Sequence, residues 1–343
     1  MVSERPSVIV DPAFRRMDEI FDPSTNEELR DRFRVVWGRD EPMPTDRFLA
    51  ELPSAMAIVH GDWRHGPVSL DGAGLRAVLE VAGGHPDRGP GVRRLVEGGL
   101  LLGSCAPAFA AVVAEMALAL ALAGLRGVVR ADREMRSGTE RWLHDGNAGN
   151  RSLFGAEVGF VGCGGIAARL HDLLRPFEVR VRGYDPPLPA ASLLDRGIQP
   201  ADLGELFDRC DVVFVLAAPT DDNRHLVDRA LLSRLGPEQL LVVISRAHLV
   251  DFDAMTELAA AGRFRMATDV YPVEPLPAEH PVRAIDDGIC VPHLAGALPR
   301  ALTDIGRFVL EDLVAISEGR LPRRMQYLTA ENLDGLIQPR PPA

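Results

Sequence analysis

The chain has 343 residues, a formal charge of −11, 46% hydrophobic residues and 6% aromatic ones, a length that suits about two domains. This acidic balance excludes a nucleic-acid-binding face, which would need a basic patch. All 38 basic residues are arginine, so every chemistry that depends on a lysine is excluded too, from a Walker phosphate cradle to a Schiff base to a lysine proton donor.

Met1 to Pro12 has no basic run followed by an apolar core, so no secretory signal is expected. From Ser7 onward short apolar runs alternate with amphipathic ones. SVIVD, RVVWG, AMAIVHG and the LRAVLEVAGG of Leu75 to Gly84 read as strands, helices are expected around Asn26 to Arg34 and Asp46 to Leu52, and Val92 to Gly103 reads as a helix followed by a strand. Alternation of this kind predicts a parallel sheet covered by helices on both faces. Ala106 to Leu125 approaches the length of a membrane span but carries Glu115, and is read as a buried helix between domains, with no membrane partner. Gly124 to Gly155 is polar and arginine-rich, and too long for a simple connection, so it is expected to form an arm or wrap a partner subunit.

Val158 to Asp185 is the most informative stretch. The apolar Val158 to Val161 feeds Gly162-Cys163-Gly164-Gly165-Ile166-Ala167, the G-x-G-x-x-A form of a dinucleotide-binding turn. Gly162 permits the tight turn, Gly164 lets a pyrophosphate approach the backbone, and Ala167 lets helix and strand pack closely. Gly165 and Ile166 open a helix whose N-terminal amides would face the phosphates. A second strand then ends on Asp185, placed to accept both ribose hydroxyls and to repel a 2′-phosphate, which favours NAD over NADP. Further strands are expected at Val212 to Leu216, Leu240 to Ile244, Met266 to Val270 and Ile289 to Val291, for about six in all. A helix is expected over Ala301 to Glu318, and the tail from Arg320 onward reads as poorly ordered at its end. Cys105, Cys163, Cys210 and Cys290 lack C-x-x-C spacing, so neither a metal site nor a disulfide framework is expected and a cytoplasmic setting fits.

Arg246, Glu274 and His293 each follow a predicted strand, at the edge where open α/β sheets bind ligands. Hydride transfer to a carbonyl needs a proton donor that titrates near neutrality, and histidine is the natural one. A carboxylate on its other ring nitrogen would orient the imidazole and favour its charged form, while an arginine fork would hold a substrate carboxylate.

The segments ISRAHLVDFDAM, TDVYPVEPLPAEHPV and VPHLAG, together with VAEMAL, VLAAPT and the YDP at Tyr184 to Pro186, resemble the signatures of the D-isomer-specific 2-hydroxyacid dehydrogenases, in the same order and over most of Val113 to Gly296. The resemblance implies that Arg246, Glu274 and His293 are catalytic. It implies cofactor contacts from Pro219, Ser245, Asp269 (to the nicotinamide carboxamide), Ala295 and Gly296. It further implies a flavodoxin-like substrate domain of residues 1–109 and 302–343, an NAD-binding Rossmann domain of residues 110–301, a cleft between them, and a homodimer. The expected partner is a small anionic 2-keto or 2-hydroxy acid, held by the backbone amides of Gly83 and Gly84 and by Arg246.

The sequence departs from that pattern in two places. Ala247 stands where the family usually has glycine, and His85-Pro86-Asp87-Arg88 interrupts the substrate loop, leaving the substrate open, with Arg88 able to meet a second anion. His248 and His280 are expected to serve loops, and Cys163 to pack. Two alternatives stand beside the keto-acid reading: oxidation of another small anion, formate or phosphite, on the same scaffold, and a non-enzymatic NAD-sensing protein like the co-repressors of similar fold.

Overall fold

The computed structural model describes residues 5–70, 74–84, 91–330 and 333. The chain divides into two compact units, one of Met1–Phe109 with Ala297–Pro342 and the other of Ala110–Gly296. The second crossing comes earlier than the expected 301/302. The reason is the helix Pro299–Ser317, which starts with proline at its first turn, where the missing N–H costs nothing. Its Leu302, Ile305, Val309 and Leu313 belong to the first unit's core, and a break at 301/302 would cut this rod.

The strands of the first unit are β1 (Ser7–Asp11), β2 (Arg34–Trp37), β3 (Ala55–His60), β4 (Ala77–Glu80) and β5 (Leu101–Ser104). Those of the second are β6 (Glu157–Val161), β7 (Arg180–Tyr184), β8 (Gln199–Pro200), β9 (Val212–Val215), β10 (Leu240–Val243), β11 (Arg265–Thr268) and β12 (Ile289–Cys290), after which the chain returns to the first unit for β13 (Gln326–Tyr327). The first sheet runs β2-β1-β3-β4-β5 with β13 added beyond β5; the five are parallel and β13 is antiparallel. This is the flavodoxin-like order. Val8 and Val10 face one core while Ile9 faces the other, and Ala57 and Val59 alternate with Ile58 in the same way. With both faces covered, the inner positions of these strands are apolar on both sides, which is why they read as hydrophobic runs with polar residues only at their ends.

β13 lies in the first part of the tail, ahead of the end read as poorly ordered, and Asp312 explains its place. This buried carboxylate, 2% exposed, accepts N–H bonds from Arg323, Arg324 and Met325 at 2.9 to 3.2 Å and the Tyr327 hydroxyl at 2.8 Å. Asp312→Ala should leave these donors without an acceptor and cost on the order of 3 kcal/mol, measured by chemical denaturation; a loss within error of zero would remove Asp312 as the anchor. Residues 334–343 of the tail lie outside the described residues.

The second sheet runs β12-β11-β10-β9-β6-β7-β8, all parallel. The order reverses between β6 and β9, the switch point at which such sheets bind dinucleotides. β8 makes the sheet seven-stranded rather than six-stranded. It is only two residues long and contains Pro200, which an edge strand tolerates and which hides it from a periodicity reading. The apolar helix Ala106–Leu125 is long and apolar enough to span a membrane by composition, and 56% of its window is buried inside the fold. The arm beyond it carries two helices, Val128–Ser137 and Leu143–Gly146.

Candidate active site

Two groups of residues meet the carboxyl edge of the second sheet. The first surrounds the switch point. β6 ends at Val161, and Gly162 turns the chain at φ +94°, where a Cβ would lie 2.4 Å from both the Cα and N of Ala217, the residue running past from β9. Only glycine fits a position that both requires this φ and lies against backbone. Gly164 differs: a Cβ there would meet nothing within 4 Å, so its bareness leaves open space in front of the turn. Gly164 is also the N-cap of the helix Gly165–Leu174, without a side-chain cap, so the first-turn amides of Gly165 and Ile166 keep the anion-binding character of a helix N-terminus.

Asp185 follows β7. Its Oδ2 accepts the Cys163 N–H at 2.7 Å, so one carboxylate oxygen braces the glycine turn, a partner that spacing alone did not reveal. Cys163 is buried, and desolvation, with Asp185 nearby, pushes its thiol up to about 12; it packs and stays protonated. Arg196 donates from Nη1 to the Cys163 carbonyl at 3.1 Å. Past β9, Pro219 sits in a loop held by Thr220 N–H to Asn223 Oδ1 at 2.7 Å and by Asn223 Nδ2 to the Ala218 carbonyl at 2.8 Å. Bare glycine, helix N-terminus and half-buried acid together fit a dinucleotide's pyrophosphate and adenosine ribose.

The second group stands at the ends of the neighbouring strands β10, β11 and β12. Ser245 is buried, with a hydroxyl that finds no partner among the described residues. Arg246 is exposed and turns back to donate from Nη1 to the Ser245 carbonyl at 2.7 Å. Desolvation lowers its pKa and the Glu274 charge opposes that; a guanidinium starts so far above neutrality that it stays cationic. Ala247 opens the short 3₁₀ turn Ala247–Leu249, a right-handed conformation that alanine adopts freely, so the departure from glycine is absorbed. His248 Nε2 lies 2.8 Å from the Thr220 carbonyl and ties the β10 and β9 loops together. His280 Nδ1 accepts the Val282 N–H at 3.2 Å.

Glu274 and His293 are brought together: Oε2 of Glu274 lies 2.6 Å from Nδ1 of His293, both side chains being more than a third exposed. The other oxygen, Oε1, accepts the Tyr271 N–H at 2.9 Å, and the Tyr271 hydroxyl donates to the Val291 carbonyl at 3.1 Å. Tyr271, which the sequence reading did not single out, thereby ties the glutamate loop to the histidine loop. His293 has φ +52°, a left-handed conformation that non-glycine residues hold only where the surroundings enforce it. The enforcement is visible: His293 N–H donates to the carbonyls of Asp269 and Val291 at 2.9 and 3.0 Å.

Asp269 is fully buried, and its carboxylate accepts the N–H groups of Leu294 at 2.7 Å and Ala295 at 3.1 Å. Burial pushes its carboxyl pKa up against the pull of those two bonds. Asp269 therefore holds the histidine loop through the Leu294 and Ala295 amides. A buried carboxylate must find donors, and the next loop supplies them. Gly296 follows, half-buried.

In the first unit, the loop after β4 carries Gly83 and Gly84, the expected donors to a substrate carboxylate. Glu80, 5% exposed, accepts the Ala82 N–H and the Gly83 N–H, both at 2.9 Å. The Gly83 amide is thus bonded to a carboxylate of the chain itself. Gly84 is half-buried, and Arg88 and its neighbours lie outside the described residues. The signal was present in the sequence: β4 reads Ala-Val-Leu-Glu, an acid closing a strand two residues before the loop amides.

A family model described as D-isomer specific 2-hydroxyacid dehydrogenase, NAD binding domain, matches residues 118–295, just over half the chain. A glyoxylate reductase of Korarchaeum cryptofilum is 25% identical over 302 residues, 86% of this chain and 90% of that protein. A D-3-phosphoglycerate dehydrogenase of Mycobacterium tuberculosis is 29% identical over 294 residues, 84% of this chain, which spans about half, 54%, of that protein's length. Among solved structures, a phosphoglycerate oxidoreductase from Rhizobium etli is 33% identical with a TM-score of 0.80, over 92% of this chain and 100% of that one.

Proposed function

The chain belongs to the D-isomer specific 2-hydroxyacid dehydrogenases, and from that premise we propose that it reduces a small 2-keto acid to the D-2-hydroxy acid with NADH. The observation that carries this reading is the 2.6 Å contact between Glu274 Oε2 and His293 Nδ1. A carboxylate accepting from Nδ1 fixes the tautomer and swing of the ring and leaves Nε2 to exchange a proton. When bound, the nicotinamide supplies the hydride that the carbonyl carbon receives. His293 gives its proton to the carbonyl oxygen, so that no alkoxide has to form. Arg246, a fixed cation on the neighbouring strand end, binds the substrate carboxylate and orients the carbonyl. Gly162, Gly164, Gly165 and Ile166 hold the pyrophosphate, and Asp185 takes the ribose hydroxyls with its second oxygen.

A homodimer is the proposed assembly, supported by Val128, Met135, Trp142, Leu143 and Phe154, large apolar side chains 53 to 83% exposed along the arm. Four free thiols among the described residues suit the cytoplasm.

The test is a panel of 2-keto acids, glyoxylate among them, with NADH and NADPH in parallel, plus 3-phosphoglycerate, formate and phosphite with NAD, followed at the NADH absorbance. Turnover of at least one 2-keto acid, faster with NADH, is expected, at a sedimentation mass about twice 37.3 kDa. Turnover of formate or phosphite alone would replace the reading, and dinucleotide binding without turnover of any of these substrates would favour a sensor.

A further inference from the structure

We propose that Arg196 is a second residue of cofactor discrimination, set opposite Asp185 across the glycine turn, and that it binds a 2′-phosphate whenever the Asp185 charge is removed. The inference rests on the dinucleotide reading above and adds a residue to it.

Cys163, the residue between the two glycines of the turn, is gripped twice. Its N–H donates to Asp185 Oδ2 at 2.7 Å and its carbonyl accepts from Arg196 Nη1 at 3.1 Å. The cysteine side chain is buried against β7, where a Cβ added to Gly183 would lie 2.6 Å from the sulfur. The turn is therefore pinned, and an acid and a guanidinium stand at set positions on either side of a single residue. Arg196 comes from just beyond the helix Ala190–Leu194, before the turn at Gly197 with φ +76°. Its side chain is exposed. Many of the described arginines face a carboxylate, as Arg180 and Arg182 face Glu157, yet among the described residues no carboxylate forms an ion pair with Arg196. Its bond to Cys163 uses one of the guanidinium's five donors.

The two charges favour different cofactors. A ribose diol needs an acceptor, which Asp185 provides, whereas a 2′-phosphate is repelled by that carboxylate and matches the planar fork of an arginine. With both present, the acid sets the preference for NADH. Neutralising it leaves Arg196, which forms no ion pair among the described residues, as the charge gripping the turn.

The experiment measures NADH and NADPH dissociation constants by calorimetry on the full chain, for the wild type, Asp185→Asn, Asp185→Asn/Arg196→Ala and Asp185→Asn/Arg196→Lys. Asparagine keeps an acceptor oxygen for the Cys163 N–H, so the turn survives, and thermal melts without ligand check this. Asp185→Asn should bind NADPH at least ~10-fold more tightly than the wild type, the worth of a charge-assisted bond freed from repulsion. Adding Arg196→Ala should return that gain, and Arg196→Lys should keep part of it. Equal NADPH affinity in Asp185→Asn with and without Arg196, or no gain in Asp185→Asn, would overturn the proposal while leaving the NADH site intact. A wild type that binds neither dinucleotide would overturn the cofactor reading itself.

Discussion

His293→Asn should lower kcat for 2-keto acid reduction by about 10³-fold, within the range that a positioned acid–base group supplies, while the NADH dissociation constant stays within about twofold. Asparagine is the informative replacement because His293 sits at φ +52°, a conformation that asparagine tolerates better than alanine, so the loop that Asp269 holds through Leu294 and Ala295 should keep its shape. Glu274→Gln should cost less, about 10²-fold, since an amide oxygen still accepts from Nδ1 and orients the ring, though through a weaker, uncharged bond. The two effects should be far from additive, because Glu274 acts only through His293. Stopped-flow single turnovers separate chemistry from cofactor binding. A His293→Asn enzyme within tenfold of wild type would remove the histidine from the proton path.

The two glycines of the turn should respond in opposite ways to the same added methyl group. Gly162→Ala puts a Cβ 2.4 Å from the Ala217 backbone at φ +94°. Neither strand can yield without breaking its pairing, so the loss should be on the order of 3 kcal/mol, with a lower Tm and no measurable NADH binding. Gly164→Ala meets nothing within 4 Å and sits at φ −77°, ψ −154°, so the melt without ligand should match wild type. The methyl group then occupies space that a pyrophosphate needs, and NADH affinity should fall by about tenfold or more. Calorimetry with NADH and thermal denaturation without it read the two effects apart. Unchanged NADH affinity in Gly164→Ala would place the pyrophosphate elsewhere.

Much of this site was legible because its chemistry is carried by residue types at strand ends. Gly162, Asp185, Arg246, Glu274 and His293 each follow an apolar run, and in a parallel sheet all such ends share one edge. Hydrogen-bond partners were not legible in the same way. The amide partners of Asp269 lie 25 and 26 residues away. Glu80 accepts from the Gly83 N–H in a loop that reads only as two glycines. Both cases concern buried carboxylates, whose demand for donors is met by whatever backbone folding brings within reach.

The amino-acid order by itself determined the two parallel sheets, the glycine turn after β6 and the placing of Glu274 and His293 at strand ends, because each depends on local periodicity or on a residue type following a strand. Only the tertiary structure decided the seventh strand β8, the return of β13 to the first sheet, and the crossing between units at Gly296/Ala297. It also decided what Asp312, Asp269, Glu80 and Arg196 hold. These features rest on contacts between segments distant in sequence, where a two-residue strand or a lone charge has no period to betray it, and where burial, rather than spacing, selects the partner.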